Sequence, residues 1–187
     1  MATQLSPVMD ALYHGRRDEA ERLARERADS LTVHEAAAMG AVSRLEALLA
    51  ADPAAANEFA PDGFQPVGLA AFFGQPEAAA VLLAHGADPS APSRNAQRVT
   101  ALHAALAGPT PDLARALIAA GTDVNAVQQD GVTPLHEAAH IGRADLVQLL
   151  LEHGADAAAR DGQGRNAADF ARERAHTNVL ELLGEQA

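Results

Sequence analysis

The stretch from Asp130 to Ala159, DGVTPLHEAAHIGRADLVQLLLEHGADAAA, limits what this chain can become more than any other. Thr133 is a good N-cap, and Pro134 behind it suits the first helical position, where a missing N–H costs nothing. Leu135, Ala138 and Ala139 then share one helical face. Gly142 ends that short helix, since glycine tolerates the left-handed conformation used there. A second helix starts near Ala144 and carries Leu146, Val147, Leu149, Leu150 and Leu151 as a broad apolar face. Gly154 stops it, and Ala155-Asp156 open a polar turn. Two antiparallel helices and a loop of this length cannot bury their own apolar face. The unit needs copies of itself on either side.

The copies are present at a spacing of 33 residues. Gly131 maps forward onto Gly164 and Leu150 onto Leu183. Thr133, Leu135, His136 and Gly154 map back onto Thr100, Leu102, His103 and Gly121. With its Thr133-Pro134-Leu135-His136 tetrapeptide, Gly142, Leu150-Leu151 and the Gly154-Ala155-Asp156 turn, the unit resembles the ankyrin repeat. The resemblance covers almost the whole chain. It implies an all-α solenoid of stacked helix-turn-helix units with hairpin loops, a single domain over residues 1–187.

Taken in order, residues 1–29 are the least repeat-like. A short helix follows Ser6-Pro7, His14-Gly15 breaks it, and Asp18 to Arg27 forms a highly charged helix with Ala20, Leu23 and Ala24 on one face. A solenoid end needs a polar outer surface, so this segment reads as an N-terminal helical cap. Repeats follow at 30–58, 60–92, 93–127 and 128–160, and 161–187 reads as a C-terminal capping repeat whose inward face is Val179, Leu182 and Leu183. In the first repeat the spacing back from Gly40 sets His34 opposite His136. In the second, Gln65 and Gly68 stand where Thr133 and His136 stand in the fourth. In the third, Arg98 takes the slot of Gly63 and Gly131, which puts the tight turn in question. Gly108-Pro109-Thr110-Pro111 replaces the simple inter-helix glycine, with Thr110 or Asp112 as the cap of the helix that follows. Ala175 replaces that glycine in the last repeat.

Composition narrows the function. The net charge of −11 argues against sequence-independent binding to nucleic acid, which needs a basic surface. There is no cysteine, hence no disulfide framework and no thiolate chemistry. All 14 basic residues are arginine, and the Ala- and Arg-rich, lysine-free composition points to a GC-rich, bacterial source. No apolar leader and no long apolar run is visible, so the chain reads as cytoplasmic and without a membrane span.

One motif imitates chemistry. His136-Glu137-Ala138-Ala139-His140 matches H-E-x-x-H, in which two histidines one turn apart bind zinc and the glutamate activates water. The plainer reading is that His136 is the tetrapeptide histidine of the repeat, as His103 and His34 are. No third ligand follows. His85 and His153 precede glycines and read as helix C-terminal caps. The expectation is therefore no catalytic residue, no metal and no cofactor. A zinc hydrolase on His136, Glu137 and His140 is the alternative from another class, and a small-molecule or peptide sensor is a third.

The ankyrin resemblance implies a protein-binding scaffold, adaptor or inhibitor that uses hairpin tips and the exposed ends of first helices along a concave face. In this register those positions are Ala38 and Met39, Asp62, Phe64, Phe72 and Phe73, Gln97 and Val99, Gln129, Asp130 and Val132, His140 and Ile141, then Gln163 and Arg165. The partner is another protein, and the chain is expected to act as a monomer. Met39, Phe64, Phe72, Phe73, Val99, Val132 and Ile141 make the stripe apolar for a solvated face, and such patches mark interaction sites. Phe64 and Phe72 are expected to lie off the inward face defined by Leu69, Leu82 and Leu83. The competing reading tucks Phe59 and Phe73 into the inter-repeat core.

Overall fold

The computed structural model describes residues 5–110 and 112–184. Pro111 of the third-repeat turn, and the outermost residues of the two expected caps, lie outside them. Helices α1 (Pro7–Tyr13) and α2 (Arg17–Glu26) lead into five helix pairs. The pairs are α3 (Val33–Met39) with α4 (Val42–Ala51), α5 (Pro66–Phe72) with α6 (Pro76–Ala84), and α7 (Ala101–Ala107) with α8 (Asp112–Ala119). They continue as α9 (Pro134–His140) with α10 (Ala144–Glu152) and α11 (Ala167–Glu173) with α12 (Thr177–Leu182). Among the described residues there is no strand. First helices stack in chain order, α3 on α5, α5 on α7, α7 on α9 and α9 on α11, and second helices form a second row beside them.

Among the described residues no helix exceeds ten residues. Isolated helices shorter than about 12–15 residues are marginal in water, so stacking rather than propensity holds each one. The alanine content makes that stacking close. Ala36, Ala37, Ala70, Ala71, Ala104, Ala105, Ala138, Ala139 and Ala171 on the first helices are solvent-free or nearly so. The second helices bury Leu45, Leu49, Leu82, Leu117, Leu146 and Leu150 completely.

The threonine caps do two jobs. Thr133 Oγ1 accepts from the His136 backbone N–H, and the Thr133 N–H donates to His136 Nδ1 at 3.1 Å. A ring nitrogen that accepts is unprotonated, so the proton sits on Nε2, which donates to the Arg165 carbonyl at 3.1 Å. His103 repeats the arrangement, with Nδ1 2.8 Å from Thr100 Oγ1 and Nε2 donating to the Val132 carbonyl at 3.2 Å. Each imidazole thus ties its own helix start to the hairpin of the next repeat. Hairpin tips also bond in series, Arg94 N–H to the Gly63 carbonyl, Gln129 N–H to Gln97 and Gly162 N–H to Asp130. In the loops that lead into the hairpins, Asn57 Nδ2 donates to the Gly86 carbonyl while its Oδ1 accepts from Asp88 N–H, and Asn125 does the same with Gly154 and Asp156. His85 and His153 donate from Nδ1 to the carbonyls of Val81 and Leu149, sealing two helix ends as expected.

Local geometry departs from the sequence reading at four places. The N-cap of α3 is Thr32, and its capping-box partner is the buried Glu35, not His34. From cap to glycine is eight residues there (40 − 32) but nine in the fourth repeat (142 − 133), so counting back from Gly40 misplaces the cap by one. His34 Nε2 instead bonds the Glu58 carbonyl at 3.0 Å. Arg98 keeps its turn by adopting the left-handed conformation itself, at φ +52°. In α12 the buried pair is Val179 and Leu180, whereas Leu182 is 41% exposed. Leu69 belongs to a separate cluster with Met9 and Ala38, against which Phe64 and Phe73 pack.

Two stability predictions follow from this geometry. Burial lowers the His103 pKa from 6.5 to about 4, against the raising effect of the Val132 carbonyl. Below pH 6.5 the unfolded chain therefore takes up a proton that the folded chain refuses. Stability is full above that value and falls as pH drops toward 4, by on the order of 3 kcal/mol from this group. Burial lowers the His136 pKa too, with the same sign. Urea unfolding at pH 7.5 and 4.5 should show the loss, and His103→Gln should shrink it; an unchanged pH dependence would contradict the assignment. Separately, Ala175 holds φ +57°, where the equivalent Gly142 holds +74°. A side chain pays for that conformation, so Ala175→Gly should stabilise by roughly 0.5–1 kcal/mol in the same assay.

Candidate functional site

The end of α5 gathers three of the chain's six aromatic side chains, Phe72, Phe73 and Tyr13. Phe72 follows the solvent-free Leu69, Ala70 and Ala71 and points out of the stack, 43% exposed. Its ring meets that of Phe73 edge-on at 5.1 Å, and Tyr13 at the end of α1 approaches both, at 6.3 Å and 5.4 Å. Tyr13 is held in place because its hydroxyl donates to Asp62 Oδ2 at 2.8 Å. Burial and that carboxylate push the Tyr13 pKa above its ordinary value, so the hydroxyl stays a donor.

Two adjoining grooves share Phe72 as a wall. One, of about 570 Å³, runs from Tyr13, Phe64 and Phe72 past Gln97 and Val99 to Gln129, Asp130 and Val132. The other, of about 430 Å³, is lined by Leu12, Met39, Phe72, Phe73 and Pro109. The residues singled out from sequence are therefore only partly brought together. His140, Ile141 and Arg165 line neither groove. Arg165 is engaged with Asp161 and Glu173 and lies over the Phe170 ring. Asp62 positions Tyr13 rather than facing a groove. Ala38 is fully buried.

The four clustered phenylalanines divide by environment. Phe64 and Phe73 are half-buried against the N-terminal cluster that includes Leu5, Leu12 and Tyr13. Phe59 lies beneath the Arg94 guanidinium, 3.8 Å from the ring centroid. Phe72 alone among them is exposed. Sequence reasoning missed Tyr13, Glu137 and Gln128 as lining residues. Tyr13 is the chain's single tyrosine, but it stands in a segment with no repeat register to place it.

The H-E-x-x-H segment is built differently from a metal site. Both ring nitrogens of His136 are occupied by Thr133 and the Arg165 carbonyl, which leaves no lone pair for a metal. His140 Nε2 sits 3.0 Å from Arg174 Nη2. Among the described residues, no group of three or more His, Asp or Glu is placed to hold a metal. Glu137 lines the larger groove, half-buried.

The model of the family described as ankyrin repeats (3 copies) matches residues 33–126 and 101–187. The chain is 35% identical over 113 residues to mouse Rabankyrin-5, which covers 53% of this chain and 10% of that protein. It is 37% identical over 86 residues to the potassium channel AKT1 of rice, covering 45% of this chain and 9% of the channel. It is 38% identical over 87 residues to mouse protein phosphatase 1 regulatory subunit 12A, covering 46% of this chain and 8% of that subunit. The chain thus spans about a tenth of the length of these relatives. Among the described residues no helix is long and apolar enough to cross a membrane. With the family match running from the start of α3 to the C-terminal residue, the chain belongs to the ankyrin-repeat family, a protein-interaction fold that is generally not enzymatic.

Proposed function

We propose that the chain is a non-enzymatic binding scaffold, adaptor or inhibitor that takes a segment of another protein along its concave face, across the two grooves that meet at Phe72. The observation that carries the proposal is an aromatic side chain left 43% exposed while its aromatic neighbours brace it. Aromatics in that setting are the usual anchors of protein interfaces. The acidic charge of −11 disfavours nucleic acid as the partner. In this reading the chain works as a monomer in the cytoplasm. Residues 1–29 and 161–187 serve as its polar ends, with the four repeats between them. Met39, Gln97, Val99, Gln129 and Val132 supply the surrounding contact, and His140, Ile141 and Arg165 extend it toward the C-terminal repeats.

A second reading, a small-molecule sensor, has one observation in its favour. The larger groove, about 570 Å³, has the size of a small-ligand pocket, roughly 300–1,000 Å³.

Paired variants test the first reading. Phe72→Ala should weaken partner binding by about 2 kcal/mol or more, as hot-spot truncations do, with the melting temperature nearly unchanged. Phe73→Ala should lower stability by about 2 kcal/mol, less than a fully buried phenylalanine costs. Proteins recovered from the source cell on immobilised wild-type chain and lost on Phe72→Ala would identify the partner. Equal recovery on both would sink the assignment of the site to Phe72.

A further inference from the structure

Glu137 is the side chain in the larger groove that the chain itself leaves unanswered. It lines the groove from the middle of α9, half-buried, and among the described residues its carboxylate makes no hydrogen bond and no ion pair. Removing a carboxylate from water without a partner is costly. Burial accordingly raises its pKa, with only the nearby His140 acting in the other direction. The other ionisable group that carries charge along the same groove is Asp130, exposed at a hairpin tip. His103, which also lines it, has both nitrogens bonded and is neutral near pH 7. All 14 cations of the chain are arginines, and none of them lines this groove. Phe64, Phe72 and Tyr13 line the same groove. A carboxylate that no arginine of the groove's lining meets, in a groove that also holds aromatic rings, is a complementary setting for a cationic side chain with an apolar neighbour. The guanidinium or ammonium would bond the carboxylate, and an apolar residue beside it would pack on the rings.

We propose that the occupant of this groove is an extended segment of a partner protein that inserts an arginine or lysine toward Glu137, flanked by an apolar residue that packs on Phe72. This deepens the scaffold reading and rests on it. The rigid fork of arginine makes it the better fit of the two, because it can bond a carboxylate in a bidentate manner. Asp130 adds long-range attraction at the rim, which raises the rate of encounter more than the final affinity.

A random peptide library displayed on phage, selected on the whole chain, supplies the probe. The expected peptides carry a cation next to an apolar residue. Their synthetic forms should lose roughly tenfold or more in affinity on Glu137→Gln, the effect of one charge-assisted bond. They should lose as much when their arginine is replaced by citrulline, and they should not lose further when both changes are combined. Glu137→Gln keeps the shape of the side chain and removes a desolvated charge, so it should fold as well as the wild type, which circular dichroism checks. Asp130→Asn, tolerated at its φ of +61° because Asn adopts that conformation readily, should slow association. Peptides that depend on Phe72 but ignore Glu137 would overturn this inference and leave the scaffold reading standing. A failure to select any Phe72-dependent peptide would overturn both. Binding of agmatine as tightly as the peptides would assign the groove to a small amine and overturn the peptide occupant.

Discussion

Two imidazoles hold the centre of this solenoid together. His103 and His136 each spend one nitrogen on the cap of their own helix and the other on a carbonyl of the next repeat. Helices of ten residues or fewer do not persist alone, so the link between repeats is also the condition for each helix to exist. The link works only with neutral rings and one tautomer. That is why burial, which suppresses protonation, is part of the design and not a by-product of it. Where the histidine is missing, at Gly68, the repeat is braced otherwise. Gln65 donates to the Asn57 carbonyl, and the Phe64 ring lies 3.6 Å from where a Gly68 Cβ would stand.

The repeat architecture was legible because its signals are local. A threonine cap, a proline behind it, a glycine at the helix end and paired leucines each act within a few residues, and the 33-residue spacing ties them together. Legibility failed where two local signals disagreed, as at Thr32 and Gly40, which are one residue closer than their counterparts. It failed again at Arg98, where the sequence gives no sign that a non-glycine residue will accept a positive φ.

The candidate site was half legible. Phe72, Val99, Gln129 and Val132 follow from the register, because hairpin tips and helix ends recur at fixed positions. Tyr13 does not, because it arrives from outside the repeats and is set by one hydrogen bond to Asp62 across 49 residues of chain. Glu137 was visible only as a letter in a motif that suggested zinc chemistry. Its meaning depends on what His136 does with its nitrogens, a question about tertiary contacts that spacing cannot answer. Whether Phe64 and Phe73 are wall or core turned likewise on α1, a segment the repeat pattern does not govern.

The bonds between repeats lie along two separate lines, the hairpin tips and the Asn57 and Asn125 bridges in the loops that lead into the hairpins. A stack tied along a single line would flex like a book about its spine. Tied along both, it resists opening as well as closing, and a segment arriving in the groove meets walls already at their final separation. The ordering cost of association then falls on the incoming segment rather than on the receptor. A stiff ligand of the right pitch gains from this, whereas a flexible one of the same composition pays its own entropy in full.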